Sequence, residues 1–238
     1  MIAQFLTNKD FLNKYLENYA LRQAIANMQL ENKDDDMVST FQGNQEMINN
    51  IEAFKWLING GEREITPYDL NEISYRVNGG IFNKGFRKTQ VDVLKAKNFF
   101  PIRAYEVPTA IYNLFDNYKN IWVDLPIYEK EARLHIGIVR IQPYEDGNKR
   151  SARILTSYNL CSCNKAPVIM PGKDTDEYFG YIDNKDYDGM AKYLEKRSKI
   201  ELEYLMGFYT NLCGDSIESN EDLNAGDVKI YKLRKKSI

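Results

Sequence analysis

Apolar residues recur at helical spacing along most of this chain, and between Pro126 and Leu160 two such segments are separated by one charged turn. Pro126 opens the first, which carries Ala132, His135, Ile136, Val139 and Arg140; the second runs through Ile154, Leu155, Tyr158 and Leu160. Helix, turn, helix is the prediction there, and the rest of the chain repeats the signal. Asn8 is a candidate cap ahead of Phe11, Leu12, Tyr15, Leu16, Tyr19, Leu21, Ala24, Ile25 and Met28, a first helix of about five turns. After the acidic break Asp34-Asp35-Asp36, residues 37–44 read as a short helix closed by Gly43. Glu46 to Leu57 resume helical spacing until Gly60-Gly61. Thr66-Pro67 and Pro108 each start a helix, and two more occupy Asp174 to Asp183 and Tyr187 to Tyr209. Only between Gly85 and Phe100 does the pattern change. There Thr89, Val91 and Val93 alternate with Lys88, Gln90 and Asp92, which predicts a small hairpin. There is no internal repeat and no low-complexity linker.

The charged turn itself reads Ile141-Gln142-Pro143-Tyr144-Glu145-Asp146-Gly147-Asn148-Lys149-Arg150-Ser151-Ala152-Arg153. A turn glycine at the opening of a helix exposes main-chain N–H groups that carry the positive end of the peptide dipoles, so an anion placed there finds donors at once. Lys149, Arg150 and Arg153 add cationic charge, the arginines as flat two-pronged donors. The candidate phosphate cradle is therefore Gly147, Asn148, Lys149, Arg150 and Arg153. Asp146 is a candidate oxygen ligand for a magnesium ion beside a bound nucleotide, although an aspartate before glycine is also ordinary turn and capping chemistry. Arg153 has two readings as well, phosphate ligand or partner of an acidic neighbour.

Composition excludes several other classes. The 238 residues carry a net charge of −2, with 43% hydrophobic and 28% charged, which fits one large domain or a domain with appendages and gives no electrostatic footprint for nucleic acid. Cys161, Cys163 and Cys213 are few, odd in number and without a histidine cluster, so neither a disulfide framework nor a zinc site is expected. The first residues lack a basic start followed by an apolar core, and no apolar run is long enough to span a bilayer; a cytoplasmic protein that engages no membrane is expected.

The turn resembles the signature of the Fic (Fido) proteins, His-Pro-Phe-x-Asp/Glu-Gly-Asn-Gly/Lys-Arg-x-x-Arg. Pro143, Asp146, Gly147, Asn148, Lys149, Arg150 and Arg153 fall on motif positions or accepted variants, and Tyr144 replaces the phenylalanine. Gln142 stands where the family carries the histidine that takes a proton from the target hydroxyl, and an amide is not a base near neutral pH. The resemblance implies an all-α Fic/Fido helical fold with one short β-hairpin flap. Gly85-Phe86-Arg87 and Phe100-Pro101 match its flap surroundings, along which a protein target would lie by strand addition near residues 85–100. It also implies ATP with magnesium as the substrate complex and AMP transfer to a protein hydroxyl.

A second likeness lies upstream. Family members with an inhibitory helix carry Ser/Thr-x-x-x-Glu-Gly/Asn, whose glutamate pairs with the last arginine of the signature. Here Val38 takes the hydroxyl position and Gln42-Gly43 the last two, so a brake at Gln42 would be weakened, because charge-assisted bonds are about twice as strong as neutral ones. Gln42 is also readable as a surface glutamine before a helix-ending glycine. His135, the one histidine, lies about 10 Å along the helix from Gln142 and is expected to pack below the site. The implied layout is an N-terminal helical extension over 1–65 with the degenerate inhibitory motif, a Fic-like core over 66–212 and a polar tail over 213–238. The implied function is a Fic-family nucleotide-binding protein, impaired or altered in transfer by Gln142. The alternative is a noncatalytic regulatory or protein-binding module on the same fold.

Overall fold

A computed structural model describes residues 9–30, 41–61, 63–82, 84–93, 98–213, 217–219 and 231–233; for residues 9, 41–44, 213 and the last two segments it describes the backbone alone. Helix α1 spans Lys9–Leu30, α2 Phe41–Asn59 and α3 Pro67–Val77. A 3-10 turn at Ala104–Glu106 leads into α4, Val107–Asp116, which widens into a π-turn at Asn117–Ile121. Helices α5, Ile127–Ile141, and α6, Asn148–Ser162, flank the charged turn; a 3-10 turn at Gly172–Asp174 precedes α7, Thr175–Asn184, and α8 spans Tyr187–Cys213. Strands β1, Ile217–Ser219, and β2, Tyr231–Leu233, pair antiparallel with Ile217 opposite Leu233. Among the described residues the remaining regular elements are helices, as the sequence predicts.

Local chemistry explains three helix starts. Asp69 accepts bonds from the Thr66 N–H (2.9 Å) and the Thr66 hydroxyl (2.8 Å), closing the first turn of α3 behind Pro67. Pro108 sits in the first turn of α4, and Pro126 precedes α5, whose φ it fits without a lost donor.

Two expectations are corrected. Gly43 does not close a helix, because α2 runs unbroken from Phe41 to Asn59. A helical glycine costs only about 1 kcal/mol, and α2 packs along α1 and α3, which burial of Ala53, Phe54 and Leu57 makes favourable. The hairpin flap is not seen: the described residues of 85–100 contain no strand, and 94–97 lie outside the described residues. Alternation makes a strand only where a neighbouring strand takes its main-chain groups, and here the Arg87 N–H donates to the Pro143 carbonyl instead (2.8 Å).

Helix α6 lies at the centre, against α2, α3 and α5, and nearly every residue from Asn148 to Leu160 is buried. Its sequence is nonetheless polar. Several buried polar groups of its C-terminal half are met by neighbouring helices: Ser157 by Tyr19 (2.8 Å) and Gln23 (3.1 Å) of α1, Thr156 by His135 (3.0 Å) of α5, and Asn159 by Glu131 (3.2 Å) of α5. Such bonds offset the desolvation that would otherwise exclude these residues from a core. The apolar remainder forms a single cluster reaching from Phe11 of α1 to Met206 of α8.

Candidate active site at the turn between α5 and α6

Helix α5 ends at Ile141, and Gln142 adopts a left-handed conformation, φ 51, that turns the chain back toward α6. Its side-chain amide is used at both ends: Nε2 donates to the Val139 carbonyl (2.6 Å) and Oε1 accepts from Asn148 Nδ2 (2.9 Å). Asn148 also clasps Tyr144, accepting from its N–H (2.8 Å) and donating to its carbonyl (2.9 Å). Gln142 thus caps α5 and fixes the loop.

Gly147 caps α6 with φ 78, and a Cβ there would lie 2.9 Å from the Asn78 side-chain nitrogen, so both backbone and space require glycine. The Asp146 carboxylate accepts from the Gly147 N–H (2.6 Å) and from Arg150 (2.8 Å). Asn78, at the end of α3, donates to the Asp146 carbonyl (2.9 Å) and accepts from Arg150 (3.3 Å). The first-turn amides of α6 face this loop, where no earlier turn of helix supplies carbonyls for them. The predicted cradle residues Gly147, Asn148 and Arg150, with Asp146, are therefore brought together.

Lys149 and Arg153 point elsewhere. The Lys149 ammonium lies 5.7 Å from the Phe179 ring centroid of α7. Arg153 is buried, donates from Nε to Asn27 of α1 (2.6 Å) and stands 6.0 Å from the Tyr178 ring. Gln42 and Gly43 belong to α2, and their side chains lie outside the described residues, as does Val38. His135 is buried behind the loop between Thr156 and Tyr178 (2.8 Å), and burial, with the Arg153 charge, depresses it to about 3, so it is a neutral core residue as expected.

Sequence reading missed Arg87 and Asn78. Arg87 is buried, and its guanidinium donates to the carbonyls of Gln142 (2.6 Å), Thr89 (2.7 Å), Ile102 and Ile141 (3.5 Å), tying the segment 84–93 to the turn. Burial lowers its affinity for its proton without discharging it. Gly85-Phe86-Arg87, matched above to the flap surroundings, was the available signal. Phe86 stacks on Tyr144 (6.1 Å between centroids), whose hydroxyl donates to Asn71 (2.7 Å). A cleft of about 460 Å³ opens between α3 and this segment, lined among others by Asn78, Thr89, Tyr144 and Glu145; Thr89 donates to Glu145 across it (2.7 Å).

Residues 64–160, which contain α3 to α6 and the turn, match the Fic/DOC family. That stretch is a Fic/DOC-family domain. The protein adenylyltransferase fic-1 of Caenorhabditis briggsae is 28% identical over 73% of this chain, and the chain spans 35% of that relative's length. A Fic domain containing signaling protein from Bacteroides thetaiotaomicron superposes with a TM-score of 0.69 at 21% identity, over 89% of this chain and 94% of the other. The structure of IbpAFic2 covalently tethered to Cdc42 gives 0.54 at 14% identity, over 78% of this chain and 62% of that one. These structural likenesses establish the fold. Among the described residues no helix is long and apolar enough to cross a membrane, and no cluster of three or more His, Cys, Asp or Glu could hold a metal on its own.

Proposed function

We propose that this Fic domain binds a nucleoside triphosphate at the turn around Gly147 and belongs functionally with the adenylyltransferases, its transfer of AMP to a protein hydroxyl being slowed or altered by Gln142. The observation that carries the reading is the Asp146, Asn78, Arg150 lattice, which fixes a glycine-capped helix start next to a cleft lined by Asn78 and Glu145. In such a site the first-turn amides and Arg150 hold phosphate oxygens by charge-assisted bonds. Adenylyl transfer needs little more of a protein than positioning and neutralisation of charge on the phosphates. Asp146 fits magnesium as a single carboxylate, the number that suits an ion taking its remaining ligands from phosphates and water. Bound there, the ion would neutralise developing charge on the phosphates.

A protein target would lie along residues 84–93, where the tether to the turn fixes its reach. The Fic neighbour IbpAFic2, solved covalently tethered to Cdc42, supports a protein as the target. The double engagement of the Gln142 amide favours a second reading, a binding module in which this position has become purely structural. Titration with ATP, with and without magnesium, tests the first: saturable binding weakened at least about tenfold by Arg150→Ala is expected, a loss in keeping with charged hydrogen bonds of about 1.5–3 kcal/mol. No binding at millimolar nucleotide would leave the module. Gln142→His, incubated with labelled ATP and a lysate, is expected to raise AMP incorporation.

A further inference from the structure

We propose that a second cavity, enclosed by the start of α3, the end of α4 and part of α5, binds a small aromatic monocarboxylate whose charge Lys130 meets. The cavity holds about 450 Å³, a size suited to a small molecule, and none of its lining residues lines the cleft beside Glu145. It is therefore separate from the Gly147 turn and owes nothing to nucleotide binding there.

The walls suit a ring. Ile65 and Pro67 line the cavity from the start of α3, Tyr112 and Phe115 from α4, and Tyr118 from the π-turn that follows. Aromatic rings gain from stacked or edge-on contact with one another beyond the area they bury. Tyr118 is fixed by its far end, since its hydroxyl donates to Glu131, which also accepts from Asn159 of α6 (3.2 Å). In the π-turn the Trp122 N–H reaches back to the Asn117 carbonyl (2.8 Å), a rare backbone geometry that concentrates at functional sites.

Charge selects the ligand's polar end. Two of the four ionic groups on the walls satisfy each other, Lys119 with Glu64 (2.7 Å), and Asp116 accepts from the Asn120 amide (2.7 Å). Lys130 is half-buried and has no carboxylate partner among the described residues; its ammonium rests 4.2 Å from the Tyr118 ring centroid instead. Its chain neighbour Glu131 is wholly buried, which raises that carboxyl to about 8 and removes it as a countercharge at neutral pH. One available ammonium beside the exposed Asp116 suits a single negative charge, whereas a phosphate dianion would meet that carboxylate as well.

Calorimetric titration of the full chain with 2-naphthoate tests the assignment. Saturable binding with a Kd below about 1 mM is expected. The uncharged 2-naphthamide, of nearly the same shape, should bind at least about tenfold more weakly, the usual scale of a charged hydrogen bond. Lys130→Met, which keeps an apolar stem over Tyr118, should weaken 2-naphthoate by a similar factor and leave 2-naphthamide unchanged, while Lys130→Arg should retain the preference. Tyr112→Ala, at an exposed ring, should weaken both probes alike. Saturating ATP with magnesium should leave the affinity for 2-naphthoate as it was. No saturable binding to the native chain, equal affinity for the acid and the amide, an undiminished affinity in Lys130→Met, or displacement by ATP each overturns the proposal, and none of these bears on whether the Gly147 turn takes a nucleotide.

Discussion

The two ends of α6 use one device to opposite effect. Toward its C-terminal half, Thr156, Ser157 and Asn159 are sealed among α1, α5 and α7, and the groups they meet titrate far from their ordinary values: His135 near 3, Glu131 near 8, both driven by burial. At its N-terminal end Asp146, which is exposed, and Arg150 satisfy each other, and the preceding residue, Glu145, lines an open cleft. The sealed end holds neutral forms and fixes where the helix points. The open end carries the Arg150 guanidinium, a charge that an anion site requires. Structural and chemical polarity therefore share a single helix, separated by access to water.

The largest test of that contrast is pH. An ordinary histidine titrates near 6.5 and an ordinary glutamate near 4.5. His135, depressed in the fold, contributes stability that is lost as pH falls from 6.5 toward 3. Glu131, raised in the fold, contributes stability that is lost as pH rises from 4.5 toward 8. Between 4.5 and 6.5 the two slopes cancel, so these groups give a plateau there and a loss of about 1.4 kcal/mol per pH unit from 6.5 to 8. Urea unfolding across that range should show the alkaline loss, and Glu131→Gln should flatten it. If the slope survives in Glu131→Gln, the sealed end does not hold that carboxyl protonated.

A smaller effect comes from the open end. Gly147→Ala forces a Cβ against the Asn78 side chain at a positive φ, and a destabilisation of about 1.5 kcal/mol is expected. Adding Asn78→Ala removes the crowding but not the backbone strain, so part of the loss should return in a double-mutant cycle. Smallest is a comparison of hydroxyls: Ser157→Ala, which leaves Tyr19 and Gln23 short of a buried partner, should cost about 1 kcal/mol, whereas Thr89→Ala, at the exposed cleft, should stay within about 0.5 kcal/mol. Equal costs would erase the distinction between the two ends.

What the sequence disclosed follows from how local each signal is. Thr66-Pro67, Pro108 and Pro126 mark helix starts because capping and fixed φ act within one turn, and the observed helices begin at Pro67, Val107 and Ile127. The turn from Gln142 to Arg153 was legible for the same reason, as glycine, amide and cations within a short span. Gly43 misled because packing of α2 against its neighbours outweighs one glycine. The alternation of Thr89, Val91 and Val93 misled because a strand is a property of two segments, and this one finds its partner in a turn far along the chain. Arg87 and Asn78 act on residues more than fifty positions away, a distance no periodicity can register. The polarity of α6 reads as solvated until α1 and α5 are placed around it.

Arg87 donates from its guanidinium to four oxygens, all of them main-chain. Such a clamp is indifferent to which side chains its neighbours carry. The surface offered to other proteins is thus free to be rewritten residue by residue, while the machinery beneath keeps its alignment.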